Sequence, residues 1–255
     1  MRKSLFLIAV ALMTSFMASA QTVETIDVSK EANGHFSKEF NGHIIEGTVQ
    51  NGVKVGTWYE IFADKNLIHK MLQFDKGIKN GAYIEVDETG ALVKKMEYAN
   101  DELNGASYTW FRGGRLSNKS SYKDGKLDGE QIKCYEQGGN QEIANYKDGR
   151  RDGMTTWFDQ SGNKLMTIEY KDGEFNGKQE TFYKSGALKS SKMYKNNKQD
   201  GIAVEYDENG AMKSEANYKK GELSGKVKTF ETDKKEKEGK AEKELKNQNF
   251  SKKKG

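Results

Sequence analysis

Three histidines, one cysteine and a large stock of carboxylates are the residues of this 255-residue chain that could do chemistry. His35, His43 and His69 lie in the N-terminal quarter, and no Cys or acidic neighbour stands at a recognisable metal-ligand spacing from them. No local context suggests a Ser-His-Asp or Cys-His arrangement. Cys134 is alone, so no disulfide forms within the chain, and it reads as a small buried apolar residue. A paired-carboxylate site can be imagined among so many acids. The most regular of them, however, Asp124, Asp148 and Asp172, each precede a glycine, which places them in turns whose side chains cap the local backbone. The recurring Gly-x-x-x-Gly spacing lacks the Lys-Ser/Thr ending of a phosphate-binding loop. The sequence therefore points to no catalytic residue, no metal site and no cofactor, which is the reading of a non-enzyme.

What remains is a set of aromatic columns, and the elements that carry them are repeats. Gly81, Gly105, Gly129, Gly153, Gly177, Gly201 and Gly225 stand 24 residues apart. Tyr98, Tyr122, Tyr146, Tyr170, Tyr194 and Tyr218 keep the same interval, and Gly56 and Phe74 extend both series backward with one residue inserted. Five residues after each period glycine come Ile61, Val86, Trp110, Cys134, Phe158, Phe182, Tyr206 and Phe230, all apolar or aromatic. Between turn residues lie short segments rich in β-branched and aromatic members, which is the strand signature, and no 3.6-residue stripe argues for helix. Triplets such as Lys184-Ser185-Gly186 and Glu208-Asn209-Gly210 read as three-residue hairpin loops closed by a left-handed glycine bulge. That loop places Trp110 opposite Leu116, Phe182 opposite Leu188 and Tyr206 opposite Met212. The second turn, Lys-Asp-Gly in several copies, fits either a two-residue or a three-residue connection, and the two present opposite faces of the next strand. One hairpin cannot bury its own apolar face, so the units must stack. The expected fold is all-β, an elongated single-layer meander of stacked hairpins. The candidate binding-face or packing aromatics are Trp110, Phe158, Phe182, Tyr206, Tyr122, Tyr146, Tyr170, Tyr194 and Tyr218.

Bulk properties bound the rest. Hydrophobic residues make up 35% and charged residues 31%, below and above the usual globular shares, yet glycine and aromatics are too frequent for a disordered chain. Proline is absent, so turns must use Gly, Asn and Asp. Residues 1–20 read as a signal peptide: Arg2 and Lys3, the apolar run Leu5 to Met17, then Ala18-Ser19-Ala20 as a cleavage site. Cleavage after Ala20 implies a periplasmic or secreted product with no integral membrane segment. Residues 21–46 read as an N-terminal cap and 47–230 as the repeat domain. Residues 231–255, with nine Lys against six acidic residues, read as a charged, disordered tail. The body between is close to neutral with both signs mixed, which does not suit nucleic acid.

The strings Tyr122-Lys-Asp-Gly-Lys-Leu-Asp-Gly129, Tyr146-Lys-Asp-Gly-Arg-Arg-Asp-Gly153 and Tyr170-Lys-Asp-Gly-Glu-Phe-Asn-Gly177 resemble the bacterial MORN-repeat variant family. The turn Asp207-Glu-Asn-Gly-Ala-Met-Lys213 belongs to the same likeness, which spans roughly 47 to 230. It implies a meander of hairpins serving as a protein- or membrane-binding scaffold, and many bacterial proteins of this type carry the label of YwqK-type antitoxin. The expectation is an exported scaffold for a protein partner in the cell envelope. The alternatives are an antitoxin-like neutralising protein or a surface-binding module for cell-wall glycan or anionic lipid.

Overall fold

The computed structural model describes residues 21–230; the expected signal peptide and charged tail lie outside the described residues. Within them the chain forms one antiparallel sheet of 20 strands in which each strand pairs with its neighbours along the chain. The first strand, Gly34–Phe40, pairs only with His43–Gln50, and the last, Lys228–Thr229, only with Met212–Lys219, so the sheet does not close into a barrel.

Each repeat is a hairpin whose loop behaves as its residues dictate. In the copy around Asp207 the amide of Gly210 donates to the Asp207 carbonyl (3.1 Å), and Gly210 adopts a left-handed φ of 87°. The expected cross-strand pairs form: Trp110 with Leu116, Phe182 with Leu188 and Tyr206 with Met212, each beside a bulge. In the first copy the loop Ala63–Asn66 between Phe62 and Leu67 is one residue longer, which absorbs the inserted residue without disturbing the strands.

The second turn is the two-residue form. Lys123 pairs directly with Lys126, and both Asp124 (φ 48°) and Gly125 (φ 74°) are left-handed, a mirror-image turn whose twist suits the flanking strands. The regular aspartates thus contribute by backbone conformation, which Asp tolerates better than most residues. Capping passes between repeats: Asp152 accepts from the amide of Asp172 (3.3 Å) and Asp200 from that of Lys220 (3.2 Å). Local caps come from other acids, Asp87, Asp159 and Asp207, which accept amides two and four residues onward.

After the two-residue turn the register slips by two at each period glycine. Leu127 lies opposite Tyr122, but Gln131 lies opposite Ser120, and Gly129 (φ 105°) sits in the bulge between them. An even slip leaves the alternation of sides intact. Every period glycine therefore pairs with the tyrosine of the following strand, Gly105 with Tyr122 through Gly201 with Tyr218, on one face.

The hydrophobic core is at the N-terminal end. Val23, Ile26 and Val28, on a segment that runs off the sheet, close over Phe36, Ile45, Val49, Trp58, Leu72, Phe74 and Tyr83. The expected boundary at 46/47 falls inside the strand His43–Gln50, so Gly34–Phe40 already belongs to the sheet and only about residues 21–33 form a roof. The roof is held by polar bonds as well. Glu60 Oε2 accepts the Val23 amide (3.0 Å), and the buried Lys54 ammonium donates to the carbonyls of Val23 (2.7 Å) and Glu24 (3.0 Å).

Candidate functional site: the tyrosine face and a histidine cleft

Strand alternation separates the nine candidate aromatics into two sets. Tyr122 faces the same way as its partner Gly105, and Trp110 is five residues further along that strand, hence on the other side. Tyr122, Tyr146, Tyr170, Tyr194 and Tyr218 therefore line one face, here the tyrosine face, while Trp110, Phe158, Phe182 and Tyr206 line the opposite one. All nine are half-buried.

A second column, two residues before each period glycine, fills the gaps between the tyrosines, and the sequence reading passed over it. Its members are Lys54, Lys79, Leu103, Leu127, Arg151, Phe175, Gln199 and Leu223. Each from Leu103 on lies opposite the tyrosine of the preceding strand. Their chemistry varies, which hid them, but their task is constant. Phe175 sets its edge against both Tyr170 (5.1 Å) and Tyr194 (5.7 Å). Arg151 lies over Tyr146 (5.6 Å) and Tyr170 (5.4 Å), Lys79 over Tyr98 (4.5 Å) and Lys54 over Phe74 (5.1 Å). Cations over ring faces are favourable, the more so when partly desolvated. The 24-residue spacing was the signal that could have found them.

The most polar stretch of the tyrosine face centres on buried Glu142. It pairs with Arg151, accepts from Trp157 Nε1 (3.1 Å) and has Lys133 at 3.7 Å, while Arg151 also donates to buried Thr155 (3.1 Å). Partial burial raises the Tyr170 hydroxyl above the ordinary phenol range, an effect that outweighs the opposing pull of Arg151. The ring cluster that a cationic ligand would need is filled by the chain's own arginine.

The opposite face is linked differently. Tyr108 and Trp110 stack (6.0 Å), but Cys134 interrupts the column between Trp110 and Phe158. Burial raises the Cys134 thiol, so it is not poised as a nucleophile. On the tyrosine-face side the units are also joined beside the hairpin loops, where Tyr135 and Tyr183 donate their hydroxyls to the carbonyls of Phe158 and Tyr206, both at 2.8 Å.

The histidines do not stay apart as their spacing suggested. Two successive hairpins carry His43 and His69 to either side of Glu60. His69 is the bulge residue between the pairs Glu60–Lys70 and Ile61–Ile68, and a bulge re-aims its side chain. His69 Nδ1 lies 3.1 Å from Glu60 Oε1, the His43 and His69 rings are 5.2 Å apart, and Phe62 stacks on His69 at 4.5 Å. Burial lowers the His69 pKa despite the neighbouring carboxylate, so the ring is neutral near pH 7. His43, Phe62 and His69 form one wall of an open cleft of about 820 Å³, with Asp87, Thr89 and Arg112 opposite. His35 is exposed on the first strand, away from this group.

The open sheet of glycine-punctuated hairpins defines a β-repeat protein. Residues 175–196 and 199–220, the units around Tyr194 and Tyr218, match the MORN repeat variant. Such repeats generally serve as scaffolds, and nothing in the match speaks for an enzyme. No curated protein matches the chain.

Proposed function

We propose that this protein is an exported, non-catalytic scaffold that holds a protein partner along its tyrosine face in the cell envelope. The observation that carries the reading is that the chain already seats a segment on that face. Residues 21–33 lie across the first hairpins, with Val23, Ile26 and Val28 buried against the rings and backbone groups held by Lys54 and Glu60. Beyond Tyr98 the same column of rings continues half-buried, with mostly apolar residues and the polar Arg151 and Gln199 between them. An apolar peptide segment on a protein partner is the chemistry that would extend the roof. The export arm rests on the residue pattern of 1–20.

Site-specific photocrosslinking in the source cell tests both arms. A probe at Tyr194 should yield one discrete protein adduct in the envelope fraction, and a probe at Ile202, exposed on the opposite face, should yield none. Equal labelling from both faces, or mature protein that retains residues 1–20, counts against the reading. Co-sedimentation with cell wall or anionic vesicles in place of a protein adduct would favour glycan or lipid as the ligand.

A further inference from the structure

The tyrosine ladder and its roof use one oxygen of Glu60 and leave its Oε1, His43 and His69 without a task. We propose that these three side chains bind one divalent transition-metal ion of the zinc class at the wall of the histidine cleft. Their donor atoms already lie within 4.8 Å of one another. Two imidazoles and one carboxylate are a zinc donor set that keeps a coordination position open, here toward the cleft.

Four further features point the same way. His43 Nε2 is buried with no hydrogen-bond partner, an orphaned nitrogen that a metal bond would satisfy. The carboxylate is oriented from behind, since Glu60 Oε2 is occupied by the Val23 amide while Oε1 points to His69. Phe62 packs against both imidazoles, at 5.0 Å from His43 and 4.5 Å from His69, and fixes their planes. Finally, the packing of a repeat does not require these residue types. The positions equivalent to His69 are Val93, Ser117, Gln141, Leu165, Lys189 and Lys213, none of them histidine, and those equivalent to Glu60 are Glu85, Thr109, Lys133, Trp157, Thr181 and Glu205, acidic in only two copies.

With the neutral ring in its Nε2–H tautomer, His69 Nδ1 offers a lone pair and Glu60 Oε1 a carboxylate oxygen. The ion would sit between the two atoms, with no proton to displace and no redox change or co-reactant needed. Lys70, 3.4 Å from Glu60, is the resident cation; it turns toward Glu24, already 3.7 Å away.

The test uses the full, tag-free chain titrated with ZnCl2 alone near neutral pH, followed by calorimetry, metal analysis and thermal unfolding. One Zn2+ per chain with a Kd below about 10 µM is expected, together with a raised Tm. His43→Ala and His69→Ala should each weaken binding by roughly tenfold or more, whereas His35→Ala should leave it unchanged. X-ray absorption at the zinc edge of the loaded, unsubstituted chain needs no variant to fold. It should show two imidazoles and a carboxylate oxygen at about 2.0–2.2 Å. An all-oxygen shell, undiminished binding by His69→Ala, or no saturable uptake at about 100 µM would overturn the proposal.

Discussion

Between Val23 and Tyr98 the tyrosine face is roofed by the chain's own N-terminal segment, and ten buried hydrophobic residues form a continuous core around a fully buried Trp58. Between Leu103 and Leu223 the same face of the same kind of hairpin has no roof among the described residues. Its only buried hydrophobics there are Ala144 and Ile168, and its fully buried side chains include Ser120 and Thr155. A sheet gains a true core only when a second layer covers it. The bare stretch holds together through nearest-neighbour contacts: a ring against Phe175, a guanidinium between two rings, a hydroxyl donated to the next unit. The repeat register therefore sets the shape of the whole array, while burial sets which part of it is stable. The uncovered part is where a partner can supply the missing layer.

Substitutions at matched places sharpen this contrast. Trp58→Ala should cost about 3–5 kcal/mol in urea unfolding, as expected for a buried indole. Tyr170→Ala on the bare stretch should cost about 1–2 kcal/mol; similar losses at the two sites would erase the distinction. Gly47→Ala comes next. A methyl there would run into the Trp58 ring, so overpacking of about 1–3 kcal/mol is expected, with a shifted tryptophan emission as the check.

Lys54 links the roof to pH. Burial lowers its pKa to about 8, so between pH 8 and 10.5 the unfolded chain holds a proton that the folded chain has released. Stability should rise across that window, by about 1–2 kcal/mol after solvent screening. The hydroxyls of Tyr83 and Tyr98 are shifted the other way by burial, so their contribution is lost above about pH 10 and the rise should turn over. Lys54→Met should abolish the rise and keep the fall. The smallest effect belongs to the bare stretch: Tyr183→Phe removes one inter-repeat hydrogen bond and should cost about 0.5–1.5 kcal/mol, seen as faster amide exchange near Tyr206.

The fold was legible because its signals are local. A three-residue loop ending in glycine fixes its own register, so Trp110–Leu116 and its equivalents follow from spacing alone. The relation between the aromatic columns was not legible. It depends on whether the Lys-Asp-Gly turn has two residues or three and on an even slip at Gly129, neither of which the residue types decide. The ladder's second column was hidden because Lys54, Leu127, Arg151 and Phe175 share a place and not a chemistry. The His43–Glu60–His69 group lies further out of reach, since its members meet across two hairpins and one of them is aimed by a bulge.

The even slip at each period glycine has a consequence for how such a chain can change length. Because one whole unit returns the backbone to the same side, a copy can be duplicated or deleted without turning any neighbour over, and the stray residue of the first unit shows that a loop can take up an odd count. The array is in effect modular in units of 24. Its reach can be altered while the roofed end and its histidine cleft stay as they are.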